Sequence, residues 1–146
     1  MFGLGKWIVL SAALVAATAG AAADQRGSAL DLKVAGMQRV DPARYAEAAA
    51  LATRGATPVE IALAVVGPFE GSSQHIVQVN QGVESPSASR VTVLRDGLLD
   101  DSLRAERWEI ALQRTAAGAW SIGGVERAWR CRRGAQTDRF VATRCP

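Results

Sequence analysis

The sequence predicts an α+β fold: two short helices packed on one face of a curved antiparallel sheet of four to five strands. Three observations predict it. Residues 41–67 carry two consecutive sets of helix start and stop signals. The segments on either side alternate apolar and polar residues with the period of two that marks a half-buried strand. The strands after the helices follow one another directly, which is the order of an α+β chain and not of a parallel sheet built from alternating units.

Leu30, Leu32 and Val34 alternate with Ala29, Asp31 and Lys33, and Gly36 is a kink before Met37 and Val40. Asp41 is placed to accept from first-turn amides and Pro42 fits the first helical position. Tyr45, Ala48, Ala49 and Ala52 then give a small apolar face, and Gly55 supplies a left-handed stop. Thr57-Pro58-Val59-Glu60 has capping-box spacing and opens a second helix through Ile61, Leu63, Ala64, Val65 and Val66, ended by Gly67-Pro68. Phe69 to Ser73 reads as a loop. A strand follows from about His75 to Val83, with Val77 and Val79 on one face, then a turn at Glu84 to Ser87. Val91 and Val93 alternate with Thr92 and Leu94 up to the turn at Asp96-Gly97. Trp108, Ile110 and Leu112 face one way, with Arg107, Glu109 and Gln113 the other. Thr115-Ala116-Ala117-Gly118 makes a hairpin turn. Trp120 and Ile122 then pair with Leu112 and Ile110, and Gly123-Gly124 marks a bulge before Val125 and Trp129.

The first 23 residues carry a different message. Lys6 precedes the apolar run Trp7 to Ala17, and Ala21-Ala22-Ala23 gives the small-x-small exit that signal peptidase accepts. The expected organisation is a secretory signal peptide, 1–23, touching the membrane only transiently, and a single α+β domain, 24–146. The alternative is a retained anchor, but the apolar run falls short of the roughly 20 residues that spanning takes. Export implies the periplasm or the exterior.

Without Lys6 the chain has 16 basic residues against 14 acidic ones, too small an excess to argue for nucleic-acid binding. The distribution says more. From Arg127 onward there are six arginines and one acid, Asp138. Cys131 and Cys145 allow one intramolecular pairing, and an exported protein favours it. Closing a loop of about 15 residues contributes roughly 3 kcal/mol on the chain-entropy estimate. It would pin a tail that otherwise lacks an apolar run able to dock. A redox pair usually takes a tighter Cys-x-x-Cys spacing, and a zinc site needs more ligands than His75 alone can add.

This element order looks like the cystatin-like or nuclear-transport-factor-like cone, in which helices lie in the concavity of a sheet. The likeness is one of order and carries no activity. Four features point to a second likeness: Val40-Asp41-Pro42-Ala43-Arg44-Tyr45, Pro58-Val59-Glu60-Ile61-Ala62-Leu63-Ala64, Gly97-Leu98-Leu99-Asp100-Asp101-Ser102, and Trp129-Arg130-Cys131 with Cys145. In these the chain resembles a set of uncharacterised exported bacterial proteins. That resemblance implies the domain boundary and the disulfide, and brings no substrate, cofactor or catalytic residue.

No catalytic or metal motif stands out. His75 is the single histidine, and a general base would need an orienting carboxylate. Asp100-Asp101-Ser102 is an adjacent acid pair, but neighbours on a strand point to opposite faces. No serine sits in a Gly-x-Ser-x-Gly elbow, and Gly67 to Gly71 lacks the lysine of a phosphate loop. The expectation is therefore a non-catalytic exported domain without cofactor or metal. It binds an anionic cell-envelope component or exported protein through Arg127, Trp129, Arg130, Arg132 and Arg133. On a regular strand Arg127, Trp129, Cys131 and Arg133 share one face. Guanidinium groups chelate carboxylates and phosphates in pairs, and Trp129 adds a stacking surface. The bland alternative is that these arginines pair with Glu106 and Glu109 on the facing strand. Two other functions compete: an enzyme or small-ligand carrier using the helix–sheet concavity, and an inhibitor of an extracellular hydrolase presenting Phe69 to Ser73 as a wedge.

Overall fold

The computed structural model describes Leu30 and residues 32–146; the predicted export segment lies outside the described residues. The chain forms β1 (Lys33–Val34), β2 (Gln38–Val40), a 3-10 turn (Pro42–Arg44), α1 (Ala46–Thr53), α2 (Pro58–Val66), β3 (Ser73–Gln81), β4 (Ala88–Asp96), β5 (Leu103–Arg114), β6 (Trp120–Cys131) and β7 (Arg139–Phe140). Five strands make one antiparallel sheet in the order β2-β6-β5-β4-β3, and β1 pairs in parallel with β7 in a separate small sheet. The α+β class expected from the sequence is the one observed.

The helix signals act much as their chemistry requires. Asp41 Oδ1 accepts from the Ala43 amide at 2.9 Å, but the turn it caps is 3-10, and α1 begins only at Ala46. Ala48 and Ala52 are buried, while Ala49, expected on the same face, is exposed. The capping box is complete: Thr57 Oγ1 accepts from the Glu60 amide, and Glu60 Oε2 accepts from the Thr57 amide at 2.7 Å. Gly67, at φ +73°, closes α2 as a residue without Cβ can.

Both helices pack on one face of the sheet, α1 over β6 and α2 over β4. Between them and the sheet lie Ile61, Ala62, Val65, Val91, Val93, Trp108, Ile110, Leu112, Trp120 and Val125, all buried. The small faces of Ala48 and Ala52 let α1 approach closely. The opposite sheet face has its own cluster at one end, where Phe140 is fully buried with Leu94, Ala105 and Ala128, and Leu32 and Met37 pack against them. The tail therefore does dock through apolar groups, Phe140 and Val141, in addition to its cross-link.

Two strand expectations need correction. The Leu30–Val34 alternation yields only a two-residue strand, exposed and paired with β7, because that segment crosses the sheet face and does not extend its edge. In the β5–β6 hairpin Ile122 does face Leu112, but Trp120 faces Arg114, and Ile110 faces Val125. The register shift comes from the expected bulge at Gly123-Gly124, which inserts one residue opposite Ala111 and Leu112. Val77 and Val79 do share a face, but it is the face away from the helices, and they are 46% and 63% exposed.

Candidate functional site

The arginines of the C-terminal segment divide into two groups with different surroundings. Along β6, alternation puts Arg127, Trp129 and Cys131 on the helix-facing side. Arg127 lies opposite Trp108 and Trp129 opposite Glu106, so these four side chains form a two-by-two block. Arg127 Nη2 donates to Glu106 Oε2 at 2.5 Å, and its guanidinium lies 4.3 Å and 5.0 Å from the Trp108 and Trp129 rings. Stacking on both indoles holds the cation in place while its side chain stays 30% exposed. This is the pairing that the bland alternative expected for Glu106. Glu109 instead pairs with Arg90 and Arg107.

Glu106 has a second cation, Arg95, at 3.4 Å, and both are nearly fully buried, 6% and 3% exposed. Arg95 is held on all sides. Its Nε donates to Gln74, its Nη1 to the carbonyls of Val66 and Pro68, and its Nη2 to that of Gly67. Those carbonyls form the negative end of α2, which favours a cation there. Phe69 lies over the same guanidinium at 5.6 Å. The expected wedge residue thus covers Arg95 and does not project, and Ser72 ties the loop back to the Asp96 carbonyl.

The second group points outward. Arg130 Nε donates to the Thr137 carbonyl at 2.7 Å, and Arg132 donates to the carbonyls of Asp100 and Leu98. Arg133 Nη2 reaches the Asp101 carbonyl at 3.2 Å. Among the described residues none of these three makes an ion pair with a carboxylate. Main-chain carbonyls orient the guanidinium groups without neutralising them. The Cys131–Cys145 disulfide closes the segment, with Cα atoms 5.5 Å apart, and paired backbone bonds between Trp129 and Val141 hold the tail beside β6.

The loop that receives Arg132 and Arg133 is itself braced. Asp100 Oδ1 accepts from the amides of Ser102 at 2.8 Å and Leu103 at 2.7 Å, and from the Ser102 hydroxyl. Those two backbone N–H groups hold its carboxyl below the usual aspartate range. The acid pair singled out in the sequence is therefore a turn brace at Asp100 and an exposed residue at Asp101.

The first group lines a depression, and Arg132 of the second bonds to the carbonyls of Leu98 and Asp100, which line it too. An open groove of about 440 Å³ is lined by Pro68, Glu70, Leu98 to Asp100, Leu103 and Arg144. Arg95, Glu106 and Arg127 line it as well. Arg144 lies within electrostatic reach of Asp100 and next to the cross-linked Cys145. The three acids of the groove balance its three arginines, and Arg130, Arg132 and Arg133 lie outside its lining.

Sequence reasoning missed Arg95 and Arg144. Arg95 was detectable: it continues the Val91, Val93 alternation and so had to face the helices. His75 is exposed on β3, the edge strand, away from Glu106. Among the described residues no three His, Cys, Asp or Glu side chains gather to hold a metal ion, and no helix is long and apolar enough to cross a membrane. Compared with protein-family models, curated proteins and solved structures, the chain matches none.

Proposed function

We propose that this chain is an exported, non-catalytic domain that binds an anionic cell-envelope component or exported protein through its cross-linked arginine segment. One observation carries the reading: among the described residues Arg130, Arg132 and Arg133 are anchored by main-chain carbonyls and pair with no carboxylate. Their charge remains available while much of their freedom is already spent, so little ordering cost is left for an anion to meet. Arg127 and Trp129 belong to the site as its support, since Arg127 is engaged by Glu106 and Trp129 is buried. The disulfide is compatible with an oxidising compartment.

The competing carrier or enzyme reading would use the space between helices and sheet, which Ile61, Val65, Val93, Trp108 and Ile110 fill. Sedimentation of the purified chain with isolated cell envelopes tests the proposal. Substituting Arg130, Arg132 and Arg133 together with glutamine keeps donors for the carbonyls and removes the charge. Bound protein should fall about tenfold, the equivalent of roughly 1.4 kcal/mol. Undiminished retention of the triple variant removes the segment from the function.

A further inference from the structure

The two edges of the large sheet are treated in opposite ways. On one side β2 is only three residues long, and Arg39 there pairs with Glu126. Beyond β2, the same side of β6 is bonded to Val141 in the cross-linked tail. On the other side β3 runs for nine residues, Ser73–Gln81, and among the described residues pairs with β4 alone. From His75 on, every residue of β3 is exposed, including Ile76 on the helix side and Val77 and Val79 on the other. Edge strands are normally blunted by charges, proline or brevity. β3 has none of these. Its residues are Ser-Gln-His-Ile-Val-Gln-Val-Asn-Gln, without a lysine, arginine, aspartate or glutamate.

We infer that β3 pairs antiparallel with β3 of a second copy of this chain, joining two sheets into one continuous sheet. The strand is its own complement. A two-fold axis through Val77 engages all nine positions: Val77 faces its own copy, Ile76 faces Gln78, His75 faces Val79, Gln74 faces Asn80, and Ser73 faces Gln81. Directly opposed residues share a face in an antiparallel pair. Val77 therefore meets Val77, flanked on each side by a Val79 against the imidazole of His75, on the face away from the helices. Each Ile76 packs beside a Gln78 stem on the helix side. No like charges oppose each other anywhere in this register, so a second copy meets no repulsion. A charged foreign peptide finds nothing on β3 to attract it. The arginine segment begins at the end of β6, separated from β3 by β5 and β4, so the pairing leaves it free on each copy. The inference stands apart from the binding role of that segment.

The test is the mass of the purified chain in sedimentation equilibrium across a concentration series, for wild type, Val77→Lys and Val77→Glu. Val77 is half exposed, so neither change disturbs the core, and circular dichroism checks that each variant is folded. Wild type should weigh twice the single chain and each variant once. An equimolar mixture of the two variants should regain the doubled mass, since lysine then faces glutamate across the axis. Val77→Cys provides a second readout, because both native cysteines are cross-linked and among the described residues none is free. Mild oxidation should join it to a covalent dimer. A wild type that stays single throughout the series overturns the inference. So does a dimer that is indifferent to Val77→Lys or that fails to cross-link through Cys at position 77.

Discussion

Arg95 joins the end of α2 to the sheet, and its surroundings show what a buried cation requires. Taking an ion out of water costs several kcal/mol, and only close partners offset it. Arg95 has Glu106, Gln74 and the last carbonyls of α2. Substituting methionine leaves those carbonyls unpaired and Glu106 with one cation. The expected cost is about 3–5 kcal/mol in urea denaturation. Changing Glu106 to leucine in the same chain should return part of that loss, because the buried carboxylate is then gone. Asp100 makes a pH prediction. Its folded-state carboxyl lies below the ordinary value, so its contribution is fully present above the unfolded pKa of about 3.9 and disappears as pH falls through the lowered one. Denaturation midpoints should drop on acidification below about pH 4, and less steeply in Asp100→Asn. The alternation that carries Val91 and Val93 is enough to turn Arg95 inward, and the facing register of β5 and β6 is enough to bring Glu106 to an arginine of the last long strand. What alternation cannot supply is the third partner, the end of α2, since that contact depends on how a helix crosses the sheet.

At the scale of elements, local chemistry and coverage part company. The capping box was legible because Thr57 and Glu60 satisfy amides within one turn, and no distant residue takes part. Thr57→Ala should cost about 1 kcal/mol, read as a fall in thermal midpoint. The bulge at Gly123-Gly124 was legible for the same reason, but the register was not: the turn sets Trp120 opposite Arg114, and only beyond the inserted residue does the bulge move Ile110 to Val125. Alternation in β3 correctly grouped Val77 with Val79. It reports that a strand has an apolar side, and says nothing about whether another layer covers that side. The helices lie on the opposite face, so these valines meet solvent. The first strand failed for a related reason. Leu32 and Met37 are apolar because they lie on the cluster around Phe140, not because they continue the sheet.

The molecule as a whole is a sheet with helices on one face and a docked, cross-linked tail across part of the other. The disulfide and the Phe140–Val141 contact act on the same segment. Replacing Cys131 and Cys145 with alanine should cost about 3 kcal/mol in denaturation on the loop-closure estimate. Phe140 should keep the tail in place in the folded state, so circular dichroism of the variant should stay native. The proposed function depends on the cross-link holding still three guanidinium groups that pair with no carboxylate among the described residues. The most direct measurement is a binding isotherm of the purified chain on phosphatidylglycerol vesicles as salt is raised, beside the variant with glutamine at positions 130, 132 and 133. Binding should weaken as salt screens the charges, and the variant should bind at least about tenfold more weakly at low salt, the equivalent of roughly 1.4 kcal/mol. Superimposable isotherms for the two proteins would contradict the proposed function.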